Sequence, residues 1–169
     1  MIAWTSGCEK MAEPAPFGTG GFATTRVFEA PRERVWQEWT EPERFADWFG
    51  GPDWEVPLAT VTMDVRPGGR LSLVMIGGPR RHEIRWKGEY LEVAPPERLV
   101  FTITDQPGED AYELVTVALA DLGDGRTEMR FEQRGQMPPD AYQYTERGWG
   151  AFFDRVAERL VTTGGSSGR

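Results

Sequence analysis

The sequence has little of what most enzyme chemistry requires. Its 169 residues include one cysteine, Cys8, and one histidine, His82. A lone cysteine excludes an intrachain disulfide and makes a cytoplasmic protein the default expectation. Cys8 sits in an aperiodic stretch with none of the electropositive setting that activates a thiol. A single histidine without a companion cysteine or second histidine cannot build a zinc site. No phosphate loop, nucleophile–base pair or metal-ligand spacing occurs, so no cofactor, no metal and no catalytic set is assigned. Lysine is nearly absent, with Lys10 and Lys87 alone against a background of arginine. The formal net charge is −8. Nucleic-acid binding needs a concentrated basic surface, and none is visible. No apolar run approaches the ~20 residues of a membrane span. No basic region followed by an apolar run marks a signal peptide.

Aromatic residues, by contrast, are plentiful: 12% of the chain, with seven tryptophans. The length fits one domain with a core that needs no disulfide. Residues 1–21 are rich in Gly and Pro without periodicity and read as a flexible N-terminal tail. Residues 162–169 are rich in Thr, Gly and Ser and read as a flexible C-terminal tail. A single domain is expected over residues 22–161.

Within it, Phe22 to Ala30 reads as a strand, and Pro31 suits the first turn of a helix carrying Val35, Trp36 and Trp39. Thr40 and Glu43 have capping-box spacing, which predicts a second helix from Glu41 with Phe45, Trp48 and Phe49 on one side. Alternation around Met63 and a Pro67-Gly68-Gly69 turn then lead into Leu71 to Ile76. Further strands are expected at His82 to Val93, Arg98 to Thr104, Tyr112 to Ala120 and Thr127 to Arg134, about seven in all and antiparallel. Tyr142, Thr145, Trp149, Phe152, Phe153, Val156 and Leu160 follow helical spacing after Pro138-Pro139. Arg155 and Arg159 fall late in that helix, where its dipole favours positive charge. The fold class is therefore α+β: an antiparallel sheet whose one apolar face is covered by the long last helix.

Ala30-Pro31 with Val35-Trp36, Thr40 to Phe49, Arg66-Pro67-Gly68-Gly69, Gly88 to Val93, Pro95 to Val100 and Gly148-Trp149 occur in a fixed order. In that order the chain resembles the SRPBCC, or START-like (Bet v 1-like), helix-grip superfamily. The similar branch is the one named for activator of 90-kDa heat-shock-protein ATPase homologues. The resemblance covers residues 22–160. It implies a curved sheet wrapped on the C-terminal helix around a deep cavity for hydrophobic ligands. Members of the superfamily include polyketide aromatase/cyclases and enediyne self-resistance proteins. The co-chaperone behind the branch name carries an additional N-terminal domain, so that name is not read as function.

Candidate ligand-binding residues are Trp48, Trp86, Tyr90, Phe101, Tyr112, Trp149, Phe152 and Phe153, which fall on elements expected to line the space between sheet and helix. Each also suits plain core packing. Met63 and Met75 suit either a cavity wall or gap-filling. His82, beside a Gly-Gly-Pro turn, reads as a solvated rim residue with no orienting partner. Glu83, Glu89, Glu92, Glu128 and Glu132 have the register of a solvent face, and Arg85, Arg130 and Arg134 are expected to pair with such residues across strands. Glu113 alternates with apolar positions in the same way and is read with this solvent-face set, while its shared register with Val115 and Val117 leaves an inward direction as the alternative. Gly50, Gly51, Gly77, Gly78, Gly148 and Gly150 read as helix stops, turns or close approaches.

The function expected is binding of a hydrophobic, polycyclic small molecule for carriage, sequestration, biosynthesis or natural-product self-resistance. The alternatives are a polyketide cyclase/aromatase-like enzyme using an inward Tyr, Glu or His82, and a protein-interaction module with a filled cavity. Partners are accordingly a small-molecule ligand, with no nucleic acid and no membrane span, on a monomer or homodimer.

Overall fold

A computed structural model describes residues 18–106, 108 and 111–165, with side chains through residue 162. The expected N-terminal tail lies almost wholly outside these residues. Strand β1 (Gly20–Phe28) leads to helices α1 (Arg32–Thr40) and α2 (Pro42–Trp48). Strands β2 (Trp54–Glu55), β3 (Thr62–Met63), β4 (Arg70–Gly77), β5 (His82–Ala94), β6 (Arg98–Ile103), β7 (Glu113–Asp121) and β8 (Thr127–Gly135) follow, and α3 (Pro139–Gly165) closes the chain. All strands join one sheet in the order β1-β8-β7-β6-β5-β4-β2, with β3 also on β4, and every pairing is antiparallel. This is the helix-grip fold that the motif order implied.

Period-two alternation builds the inner face. Leu71, Leu73 and Met75 of β4, Val115, Val117 and Leu119 of β7, and Met129 and Phe131 of β8 are all buried. They turn one apolar face toward α1, α2 and α3, whose own stripes supply Val35, Trp39, Phe45, Trp48, Trp149, Phe153, Val156 and Leu160. Trp39 is the hub. It meets Trp48 edge-on at 4.8 Å and stacks near Phe131 at 6.2 Å and Trp149 at 6.1 Å. Side chains of this size bury roughly 150–250 Å² each, so a few of them fill one end of the space under α3.

Several local expectations change. The Thr40–Glu43 capping box does not form. Glu41 is the N-cap of α2 without a side-chain hydrogen bond, and Thr40 closes α1 by donating back to the Trp36 carbonyl at 2.9 Å. A Ser or Thr hydroxyl satisfied within its own helix is not free to cap the next one. β1 begins at Gly20, inside the stretch read as tail, and α3 runs to Gly165, past the expected boundary at 161. The last turn therefore lies beyond Arg155 and Arg159, and the dipole argument for them lapses. Arg159 instead donates to Glu38 of α1 at 2.6 Å and to Asp47 of α2. Arg155 also reaches Asp47, at 3.4 Å. Arg85 and Arg134 pair along their own strands, with Glu83 and Glu132, at 3.4 and 3.5 Å. Residues two apart share a strand face, and long flexible arginines reach there as readily as across.

Glu38 is almost wholly buried although charged. Arg44 adds a second contact at 3.5 Å, and the Glu38 backbone carbonyl accepts from Trp48 Nε1 at 2.8 Å. Burial works against the Arg159 charge, but the hydrogen bond and charge of Glu38, followed by Asp47, hold its pKa above the ordinary value. This cluster clasps the second half of α3 to α1 and α2. The first half is left to lie over the open end of the sheet.

Candidate functional site

Beneath the first half of α3 is a cavity of about 470 Å³. Its apolar wall is Phe49, Trp86, Ile103, Met137, Trp149 and Phe152. Around these stand Thr104, Gln106, Tyr112, Gln133, Gln136, Tyr144 and Thr145, together with the carboxylates Asp105 and Glu113. Tyr144, 75% exposed, marks the mouth. Volume and character match a small-molecule site: concave, mostly apolar, with a few polar groups that orient the occupant.

The eight aromatic candidates divide into two groups. Trp86, Tyr112, Trp149 and Phe152 line the cavity. Trp48, Tyr90, Phe101 and Phe153 do not, and each is buried in the core behind it. The cause is the α1–α2 plug: Trp39 packs on Phe101 and Phe153, Phe45 packs on Trp48, and Tyr90 lies behind Phe101, so this end of the groove is filled. Burial, followed by the charge of Asp64, raises the Tyr90 phenol's pKa above its ordinary value. Met75 is core, Met63 packs beside it, and neither reaches the cavity. His82 is exposed at the start of β5.

Phe49 is the wall residue that sequence reasoning placed only on a helix stripe. As the C-cap of α2 it leaves helical geometry at φ −71°, ψ 120°. Its ring then meets Trp86 edge-on at 6.0 Å, Trp149 at 5.7 Å and Phe152 at 5.2 Å. Only the chain direction at that cap decides between core and lumen.

The polar end is a directed relay. Trp149 Nε1 donates to Gln133 Oε1 at 2.8 Å. An indole N–H only donates, so the amide oxygen of Gln133 must face it. The Gln133 amide nitrogen is thereby turned to Glu113 Oε2, at 3.3 Å. From the other side the Tyr142 hydroxyl donates to Glu113 at 2.8 Å while accepting from the Met137 N–H at 3.3 Å. Glu113 is thus an acceptor toward both partners, and it turns inward with Val115 and Val117 instead of joining the solvent-face glutamates. Burial and then the hydrogen bond to Glu113 push the Tyr142 phenol up to about 12.

Two glycines make room for this pair. Gly20 of β1 lies opposite Gly135 of β8. A Cβ on Gly135 would collide with the Glu113 carboxylate, and one on Gly20 would sit 2.9 Å from the Tyr142 ring. Gln133, Tyr142 and Gly135 escaped assignment as site residues. Gln133 had a signal, since it continues the inward alternation of Met129 and Phe131. Gly135 had none, because a close approach is invisible without the partner strand.

Among the described residues no group of three or more His, Cys, Asp or Glu side chains is placed to hold a metal ion. No described helix is long and apolar enough to cross a membrane.

Comparisons with known proteins agree with this fold. The profile of the family described as "Activator of Hsp90 ATPase homolog 1-like protein" matches residues 29–160. Among solved structures, a Chromobacterium violaceum protein superposes with a TM-score of 0.74 at 23% identity, over 84% of this chain and 98% of its own. The AHSA1 protein of Silicibacter pomeroyi gives 0.74 at 19% identity, over 85% and 99%. A Mycobacterium smegmatis protein gives 0.69 at 22% identity, over 85% and 92%. At these identities the likeness is one of fold. No curated protein matches the chain by sequence.

Proposed function

The chain belongs to the Activator of Hsp90 ATPase homolog 1-like family, and from that premise we propose that it binds a hydrophobic, polycyclic small molecule between the sheet and α3. The observation that carries this reading is the 470 Å³ cavity, walled by aromatic rings and ended by one ordered polar relay. A tricyclic or tetracyclic ligand matches that volume and stacks on Trp86, Trp149 and Phe152. A protein-interaction module would have a filled groove instead, so the open cavity weighs against that alternative. Sequestration, carriage and self-resistance share the same binding step and differ in what happens afterwards.

Intrinsic tryptophan fluorescence during titration with polycyclic polyketides, an enediyne and fatty acids tests the reading. Mass spectrometry of each mixture follows. Saturable quenching with intact protein and unchanged ligand is the expected result. Cleaved protein would mean a sacrificial binder, and altered ligand an enzyme. No response from any compound would sink small-molecule binding for this panel. Gly148→Leu is the matching control. Gly148 lines the cavity, and a Cβ there meets nothing within 4 Å. The larger side chain is expected to extend into the lumen from that open position, and leucine favours a helix by roughly 0.7 kcal/mol over glycine.

A further inference from the structure

The charges on the cavity wall narrow the ligand class. Resting on the binding reading above, we infer that the cavity selects hydrophobic molecules that carry a protonated amine, with Glu113 as their counter-ion. Asp105 at the rim and Glu113 at the inner wall line the cavity, and no Lys, Arg or His does so among the described residues. Neighbouring basic groups face away. Lys87 follows Trp86 and Arg134 follows Gln133, so strand alternation turns both to the opposite face, where they are exposed.

Glu113 is set as an acceptor. Trp149 orients Gln133, Met137 orients Tyr142, and both oriented groups donate to the carboxylate. A carboxylate offers about four acceptor positions, so capacity remains for an N–H from the cavity side. Trp86, Trp149, Tyr112 and Tyr144 line the same cavity, and aromatic rings of this kind supply the other half of ammonium recognition, since ring faces attract cations.

Selection also works by exclusion. A neutral polycycle that displaces water from this space leaves Glu113 desolvated with no opposite charge in the cavity. An anion meets two carboxylates. The amine gains where the others lose, which is how one site discriminates among ligands of one shape.

Three probes of one ring system separate these outcomes: 9-(aminomethyl)anthracene, 9-anthracenemethanol and 9-anthracenecarboxylate, titrated at neutral pH against the full chain by tryptophan quenching and calorimetry. The amine is expected to bind at least tenfold tighter than the alcohol, and the carboxylate weakest. Glu113→Gln should make the two converge: the amine weakens for want of its counter-ion, and the alcohol tightens because it no longer desolvates an unpaired charge. Gly148→Leu should abolish cavity binding of all three, which separates it from adsorption on a chain of net charge −8. Equal binding of amine and alcohol to the unmodified chain overturns the amine inference while the binding reading stands. Absence of binding by all three overturns both. The ranking on the unmodified chain decides the matter even if the Glu113 variant does not fold.

Discussion

Trp149 and Gln133 orient one another across the sheet–helix gap: the indole N–H of α3 donates to the amide oxygen of β8 at 2.8 Å, and both side chains are buried. Trp149 is therefore both cavity wall and anchor. Trp149→Phe keeps the ring but strands the Gln133 oxygen, so a loss of about 1–3 kcal/mol in folding stability is expected by urea denaturation. Gln133→Leu added to Trp149→Phe removes the orphan and should recover part of the loss. Gln133→Leu alone measures the loss of its bond to Glu113, and a coupling energy near zero across the cycle would mean that the Trp149–Gln133 hydrogen bond is not the cause.

Arg159 and Glu38 are the second long-range tie. Arg159→Met leaves the nearly fully buried Glu38 with Arg44, at 3.5 Å, as its remaining ion-pair partner among the described residues. The expected destabilisation is on the order of 3 kcal/mol, read as a shift in denaturation midpoint. Arg159→Met with Glu38→Leu should be more stable than Arg159→Met, because the uncompensated charge is gone. A double variant as unstable as the single one would contradict this account.

Gly135→Ala places a methyl on the Glu113 carboxylate. Overpacking of this kind costs about 1–3 kcal/mol. Combining it with Glu113→Ala should give a double-mutant coupling energy well away from zero, since the methyl then has nothing to strike. Additive losses would show that the two residues do not meet in solution.

Tyr142 makes stability depend on alkaline pH. Its phenol is raised from 10.0 to about 12 by burial first and by the hydrogen bond to Glu113 second. A group whose folded pKa lies above its unfolded value adds stability below the unfolded pKa, and that stability fades as pH rises through the folded one. Unfolding free energy should therefore fall from pH 10 toward pH 12, and Tyr142→Phe should flatten that fall. Absorbance at 295 nm should lose one late-titrating tyrosine in the variant.

Much of the molecule was legible along the chain because its causes are local. Alternation in Leu71 to Ile76 and Thr127 to Arg134, the 3.6-residue stripe from Tyr142 to Leu160 and the Pro67-Gly68-Gly69 turn each depend on neighbours a few residues away. Net charge and the scarcity of cysteine, histidine and lysine bounded the chemistry in the same way. The tertiary structure alone decided which aromatic rings face a lumen. Trp48 and Phe49 are adjacent, yet one packs on Trp39 and the other on Trp86, because α2 ends between them. It alone decided that Arg159 answers Glu38, 121 residues away, and that Gly135 stands back for Glu113. Such relationships arise where distant segments compete for the same space and the same counter-charge, and no window along the chain contains both competitors.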